Sequence, residues 1–306
     1  MNKKQWALVG LIHIFAVGML AGCGKSAASA DAKDGQSVDK LTIVQIQDET
    51  NPDSGQKNEQ FRSDMSETLG IEVEELEGAD YSVGIEALKA GKLDVLLVSP
   101  MSYYQAKKIA GAEPLVTTTS MGQEEYKTLF VVGKDDTTTQ SLADLKGKSF
   151  AFVDPASSSG YMYPKAKLVK ELSLDPNQLE NPGYFFDTVA YSGKHDSSLM
   201  GVAKGDYDAA AVAGQVITSL VDAGMIQEDD IRVIGETETI PNALFVVRSD
   251  LPAETKAALK DFYLTYENEE YFETFYGSKE VRFTEAKDED YEVVQEMVEI
   301  LNLEEE

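Results

Sequence analysis

Three consecutive hydroxyl residues, Ser157, Ser158 and Ser159, follow the strand-like run Phe150–Val153 and an Asp154-Pro155 turn. A helical pattern begins directly after them, with Tyr161 and Leu168 on its apolar side. Serines so placed stand at a helix N-terminus, beyond the carboxyl end of a strand. There the first-turn N–H groups have no intrahelical acceptor, and the helix dipole favours negative charge. The carboxyl ends of parallel strands are also where open α/β sheets bind ligands. Capping the helix needs only one serine; three in succession favour recognition of an anion. His195 lies in Tyr191-Ser-Gly-Lys-His-Asp196, between a further strand and a helix, where a histidine serves equally well as ligand or as cap. Tyr81, Tyr103, Tyr104 and Tyr126 fall at or near strand ends earlier in the chain, among fourteen tyrosines in total.

Other chemistries fit these residues less well. A serine nucleophile would call for a G-x-S-x-G elbow, which is absent, and these serines open a helix beside a proline. Lys146-Gly-Lys-Ser149 has the ending of a phosphate-binding loop, but position 142 is Leu where such a loop needs Gly, and a strand follows. One histidine besides His13, one cysteine and scattered carboxylates show no metal-ligand spacing, so neither metal nor cofactor is expected. The chain carries 27 Lys and Arg against 54 Asp and Glu in 306 residues, a formal charge of 27 − 54 = −27. That balance argues against nucleic acid, whose phosphates need a basic surface, and against Lys/Arg-driven docking on anionic lipid. It does not argue against a small anion, which hydroxyls and helix N–H groups bind locally; it implies only weak long-range attraction.

The elements that must position these residues follow a tether. Lys3 and Lys4 precede an apolar stretch, Trp6–Ala21, too short for a comfortable membrane span, so residues 1–22 read as an export signal. The end of that stretch, Leu20-Ala21-Gly22-Cys23, resembles the lipobox of bacterial lipoproteins. The resemblance implies cleavage before Cys23, the chain's single cysteine, and a lipid anchor on its sulfur. Removing Lys3 and Lys4 with the signal takes the charge from −27 to −29. Residues 23–39 are small and polar, a flexible tether that would hold the folded part roughly 20–25 Å from the membrane. Beyond it, strand patterns at Leu41–Ile46, Ile71–Leu76 and Leu93–Val98 alternate with helical patterns at Gln60–Leu69 and Ser82–Ala90, an order that implies a mostly parallel sheet.

Two strand-like runs echo each other, Thr128–Val132 and Ala243–Val247. Between them lies a second series, with strands at Ser149–Val153, Tyr184–Val189, Ala209–Val212 and Ile231–Ile234, and helices at Ser159–Leu172, Ser197–Ala203 and Val216–Ala223. Helices at Ala253–Tyr266 and Asp290–Leu301 finish the chain. A chain that leaves one domain, builds another and returns makes an α/β protein of two lobes joined by a two-strand hinge. The expected division is 40–131 with 243–306 for the first lobe and 132–242 for the second.

Four segments together resemble the phosphonate-binding family, the periplasmic components of phosphate, phosphite and phosphonate ABC transporters. They are Asp154-Pro-Ala-Ser-Ser-Ser-Gly-Tyr161, Ser99-Pro100-Met-Ser-Tyr103, Ser192-Gly-Lys-His-Asp196, and Ile240-Pro241-Asn with Phe245-Val-Val-Arg248. The resemblance spans about Leu41 to Phe283. It implies a type II periplasmic-binding-protein fold whose lobes close on a phosphorus oxyanion. It also implies binding by Ser157, Ser158, Ser159 and His195 from the second lobe and by Tyr81 and Tyr126 from the first. Ser99, Tyr103 and Gln215 complete the candidate set. The implied partners are a membrane ABC permease and the membrane itself through Cys23, for a protein expected to be monomeric. Aminophosphonate binders in the family hold the ligand's ammonium with two carboxylates; the corresponding positions here are Gln215 and Ala243. A buried ammonium without a carboxylate is poorly compensated, so phosphite, methylphosphonate or another phosphonate with an uncharged tail is expected instead. A sensor or scaffold lipoprotein and, more remotely, a serine hydrolase are the competing readings.

Overall fold

The computed structural model describes residues 38–44, 54–76, 80–119 and 126–303. The export signal, Cys23 and most of the tether lie outside the described residues.

The first part of the chain runs β1 (Lys40–Val44), α1 (Ser54–Leu69), β2 (Glu72–Glu75), α2 (Tyr81–Lys89), β3 (Val95–Val98), α3 (Pro100–Ala110) and β4 (Glu113–Thr118). The second part runs β5 (Thr128–Gly133), β6 (Ser149–Phe152), a π-helical turn (Ser158–Met162), α4 (Tyr163–Leu172), β7 (Thr188–Tyr191), α5 (His195–Lys204), β8 (Ala209–Ala213), α6 (Gly214–Asp222) and β9 (Ile231–Glu236). The chain then returns through β10 (Leu244–Val247), α7 (Ala253–Thr265), α8 (Glu269–Tyr276), β11 (Phe283–Glu285) and α9 (Glu292–Ile300).

Two mixed sheets result, ordered β11-β4-β10-β3-β1-β2 and β7-β6-β8-β5-β9. The expected mostly parallel sheet is corrected. β1 pairs in parallel with β2 and β3, but β10 returns antiparallel between β3 and β4, and β11 pairs antiparallel with β4. In the second sheet β6 is parallel to β7 and β8, while β5 is antiparallel to β8 and β9. All of β5 lies in the second sheet, whereas the sequence reading divided it at 131/132. The outward crossing therefore precedes Thr128 and the return crossing lies between Glu236 and Leu244. The two crossings are bonded to each other: Ile240 N donates to Tyr126 O at 2.7 Å, and Thr237 N to Thr128 O at 3.0 Å.

Burial explains the arrangement. An aromatic core of Phe61, Tyr263, Tyr271, Phe272 and Phe283 fills one face of the first sheet under α1, α7 and α8. The other face buries Ile85, Leu88 and Tyr103 from α2 and α3. Asp94, 6% exposed, locks three strands of that sheet: its carboxylate accepts from Thr42 N at 2.6 Å and from Arg248 Nε at 2.7 Å. In the second sheet the central strand β8, Ala-Ala-Ala-Val-Ala, is buried throughout. Its alternate side chains join different cores, Ala209 and Ala211 on one face, Ala210 and Val212 on the other. The sequence reading missed α3, β4, α8 and β11. Its strand at Tyr184–Val189 is instead a turn whose Phe185 and Phe186 are buried, with β7 beginning at Thr188.

Candidate functional site

The serine run is shaped by carbonyl accounting. After β6, Asp154 Oδ1 accepts from Ala156 N at 2.8 Å and Ser157 N donates to Asp154 O at 2.9 Å, a turn that aims the chain into the helix. Ser157 is the N-cap, its hydroxyl accepting from Gly160 N at 3.0 Å. The first turn is wider than an α-helix: Met162 N reaches back to Ser157 O at 3.1 Å, and Tyr163 N to Ser158 O. The next residue in this series, Pro164, has no N–H to offer. The carbonyls it leaves are taken from outside the helix, Ser159 O by the Thr128 hydroxyl at 2.8 Å and Gly160 O by Val153 N at 2.9 Å. A π turn of this kind is frequent at functional sites. On the side away from the serines, Tyr161 stacks edge-on against Phe152 with ring centroids 5.3 Å apart, and its hydroxyl joins the buried Lys165–Glu180 pair.

Gly160 is pinned within this turn. A Cβ there would lie 2.3 Å from Val153 Cβ, a distance real Cβ atoms do not tolerate. Ser157, Ser158 and Ser159 are all essentially buried.

A second helix N-terminus meets the first. Ser99 caps α3, accepting from Ser102 N at 3.2 Å, and Pro100 occupies the first turn. Met101 N, the first free amide of that helix, donates to Ser158 Oγ at 2.7 Å. The Ser158 hydroxyl in turn donates to Ser99 Oγ at 3.1 Å, and Ser102 Oγ donates to Ala156 O at 2.6 Å. The Ser158 oxygen thus sits where two helix N-termini from different sheets converge, a place of positive potential built without a charged side chain. Ser102 was not read as a site residue; the Ser-x-x-Ser spacing before a helix was its available signal.

His195 opens α5, and its Nδ1 accepts from Ala213 N at 3.1 Å. That assigns the ring proton to Nε2, which faces Ser159 Oγ at 3.2 Å. Tyr126 OH donates to the same Ser159 oxygen at 2.7 Å. Burial lowers the His195 pKa from 6.5 to about 4, so the ring is a neutral N–H donor at physiological pH. Burial raises the Tyr126 phenol well above its usual value, and it also raises the Tyr81 phenol, which lies beside Ser157. Both remain protonated donors.

The histidine should register in stability against pH. The folded ring titrates near 4 and the unfolded one near 6.5, so between these values the unfolded state binds more protons. His195 therefore weakens the fold as pH falls through this window, by at most about 1.4 kcal/mol per pH unit. Urea midpoints of the wild type are expected to rise from pH 4 to 6.5 more steeply than those of His195→Asn. Parallel curves would contradict the assignment.

The structure thus brings together Ser157, Ser158, Ser159, His195, Tyr126, Tyr81 and Ser99, and adds Ser102. Two of the expected residues stand apart from this cluster. Tyr103 turns its hydroxyl to Asp288, which also takes Lys107 Nζ at 2.6 Å, and its ring packs edge-on against Tyr291. Gln215 is exposed in the first turn of α6 and makes no described contact with the serines. Tyr104 packs against the apolar cluster around Met101 and Met162. Beside Tyr81 and Ser102, a cavity of about 150 Å³ opens at the carboxyl ends of β1 and β3, walled by Val44, Leu96, Leu97 and Val98 with Asp80.

Two mixed sheets joined by a double crossing are the type II periplasmic-binding-protein fold, and solved structures of that fold superpose on this chain. A binding protein component of an ABC phosphonate transporter from Pseudomonas aeruginosa matches with a TM-score of 0.73 at 22% identity, covering 87% of each chain. PhnD1 of Prochlorococcus marinus, solved with methylphosphonate, matches with a TM-score of 0.72 at 21% identity, covering 86% of this chain and 98% of that one. The chain belongs to the phosphonate-binding family, the periplasmic substrate-binding proteins of phosphonate ABC transporters, matching it over residues 43–291. Among curated relatives, the phosphate-import protein PhnD of Mycolicibacterium smegmatis is 26% identical over 238 residues, 76% of this chain and 74% of that protein. The phosphonates-binding periplasmic protein of Escherichia coli is 24% identical over 210 residues, 67% of this chain and 60% of that protein.

Proposed function

We propose that this chain captures a phosphorus oxyanion with an uncharged substituent by closing two lobes over it, then delivers it to an ABC permease. The observation that carries the proposal is the convergence of two helix N-termini on Ser158, flanked by the Tyr126–Ser159–His195 chain of neutral donors. Every group in that cluster can donate to an oxyanion, and none is cationic, which suits a chain of −27 formal charge. Ser157, Ser158, Ser159 and His195 belong to the lobe carrying the second sheet. Tyr81, Ser99 and Ser102 come from the other lobe, and Tyr126 from the crossing between them. Closure is driven by the ligand's better binding to the closed arrangement. Lipid attachment at Cys23 would hold this monomeric receptor at the membrane face.

The histidine tautomer favours capture over hydrolysis. A general base for a serine needs an unprotonated Nε2, whereas backbone donation from Ala213 leaves the proton on that nitrogen.

Ligand preference follows from what is absent at two positions. Gln215 and Ala243 are uncharged, so nothing there balances an ammonium. Calorimetry is expected to find phosphite or methylphosphonate bound at least tenfold more tightly than 2-aminoethylphosphonate. Tighter binding of the amino compound would refute the preference. The proposal as a whole is tested by a thermal-shift panel of phosphorus oxyanions: a ligand in thousandfold excess over Kd adds about 4 kcal/mol of stability. No shift with any member would favour a sensor or scaffold instead.

A further inference from the structure

Tyr163 is the first residue of α4 and is 2% exposed, yet its hydroxyl has no hydrogen-bond partner among the described residues. Buried polar atoms are paired in the large majority of cases, and an unpaired one is destabilising. Tyr263 and Tyr276 also bury unpaired hydroxyls, but within the aromatic core of the first sheet. Tyr163 lies in a smaller apolar cluster with Met101, Met162 and Ile240, next to the serine turn. It follows Ser159 by four residues, so the two share a helix face. Tyr126, bonded to Ser159 at 2.7 Å, packs against the cluster that holds Tyr163. The phenol lies within electrostatic reach of Tyr126 and of Glu238 in the return crossing. Burial and that carboxylate push Tyr163 up to about 12, which keeps its proton available for donation.

We propose that Tyr163 is a specificity-determining residue that hydrogen-bonds an uncharged, hydroxyl-bearing substituent on the ligand's phosphorus. The inference rests on the phosphorus-oxyanion reading of the serine site. A hydroxyl can accept from the phenol and turn its own proton elsewhere. A methyl group or a hydrogen atom in that place leaves the phenol unpaired, a loss that sites built to bond a hydroxyl convert into discrimination.

Tyr163→Phe removes only the oxygen. Calorimetry of wild type and variant with hydroxymethylphosphonate and methylphosphonate, alongside thermal unfolding of both free proteins, makes the test. Wild type is expected to bind the hydroxymethyl compound about tenfold more tightly, the effect of one well-paired hydrogen bond. The variant is expected to lose that preference by weakening toward this ligand alone, with a free-protein Tm no lower than wild type. An unchanged preference, an equal loss toward both ligands, or a Tm several degrees lower would overturn the inference. Wild type that binds neither compound would instead bring down the reading of the whole site, and this inference with it.

Discussion

A Ser158→Ala, His195→Ala protein is expected to remain folded and to lose most of the thermal stabilisation by phosphite or methylphosphonate. Ser158 Oγ is the point on which Met101 N at 2.7 Å and Ser99 Oγ at 3.1 Å converge from α3, while His195 Nε2 faces Ser159 Oγ at 3.2 Å. Hydrogen bonds to a charged group contribute roughly 1.5–3 kcal/mol each. Losing two direct donors therefore weakens binding by roughly 3–6 kcal/mol, or 10²–10⁴-fold. The fold is spared because neither side chain belongs to the aromatic or aliphatic cores. The free protein does lose the acceptors for Met101 N and Ala213 N, at a stability cost of about 1–3 kcal/mol each. A double variant that still shows the wild-type thermal shift would remove the serine–histidine cluster from the binding site.

Gly160→Ala is expected to have the largest effect on the fold and the site together. The added methyl would stand 2.3 Å from Val153 Cβ, 2.4 Å from Val153 Cγ2 and 2.9 Å from Ser157 Oγ. Strand and helix are also bonded there, Val153 N to Gly160 O at 2.9 Å, so neither can retreat without breaking that contact. Overpacking of this kind costs about 1–3 kcal/mol or more, and the retreating turn carries Ser157–Ser159 out of register with α3. The variant should show a reduced urea midpoint and at least a hundredfold loss of oxyanion affinity. Adding Val153→Ala should not rescue it, because that change removes Cγ2 and leaves the nearer Cβ. A Gly160→Ala protein with wild-type midpoint and affinity would contradict the pinned-turn account.

The parts of this molecule that were legible in its sequence are those specified locally. Three serines between a buried strand and an amphipathic helix fix where the hydroxyls stand, whatever the rest of the chain does. The strand at Ala209–Val212 is legible in the same way, and the echo between Thr128–Val132 and Ala243–Val247 announces two lobes. What stayed hidden depends on partners far along the chain. Tyr103 sits at a strand end like a site residue, but Asp288, in the C-terminal segment, claims its hydroxyl. The π turn requires Pro164 to withhold a donor and Thr128, on another strand, to supply one. The antiparallel insertion of β10 between β3 and β4 places a reversed strand inside a sheet that local order alone makes parallel. The aromatic run Tyr184-Phe185-Phe186 has strand-like composition, yet burial of both phenylalanines is achieved by a turn.

The central claim is that a phosphorus oxyanion lies at the meeting of the two helix N-termini, held by neutral donors alone. A crystal structure of the wild-type protein with methylphosphonate tests it most directly. The account predicts phosphonyl oxygens about 3 Å from Ser158 Oγ, Ser159 Oγ, His195 Nε2 and the Tyr81 and Tyr126 hydroxyls. A phosphonyl group held instead by lysine or arginine side chains, or bound away from Ser157–Ser159, would contradict it.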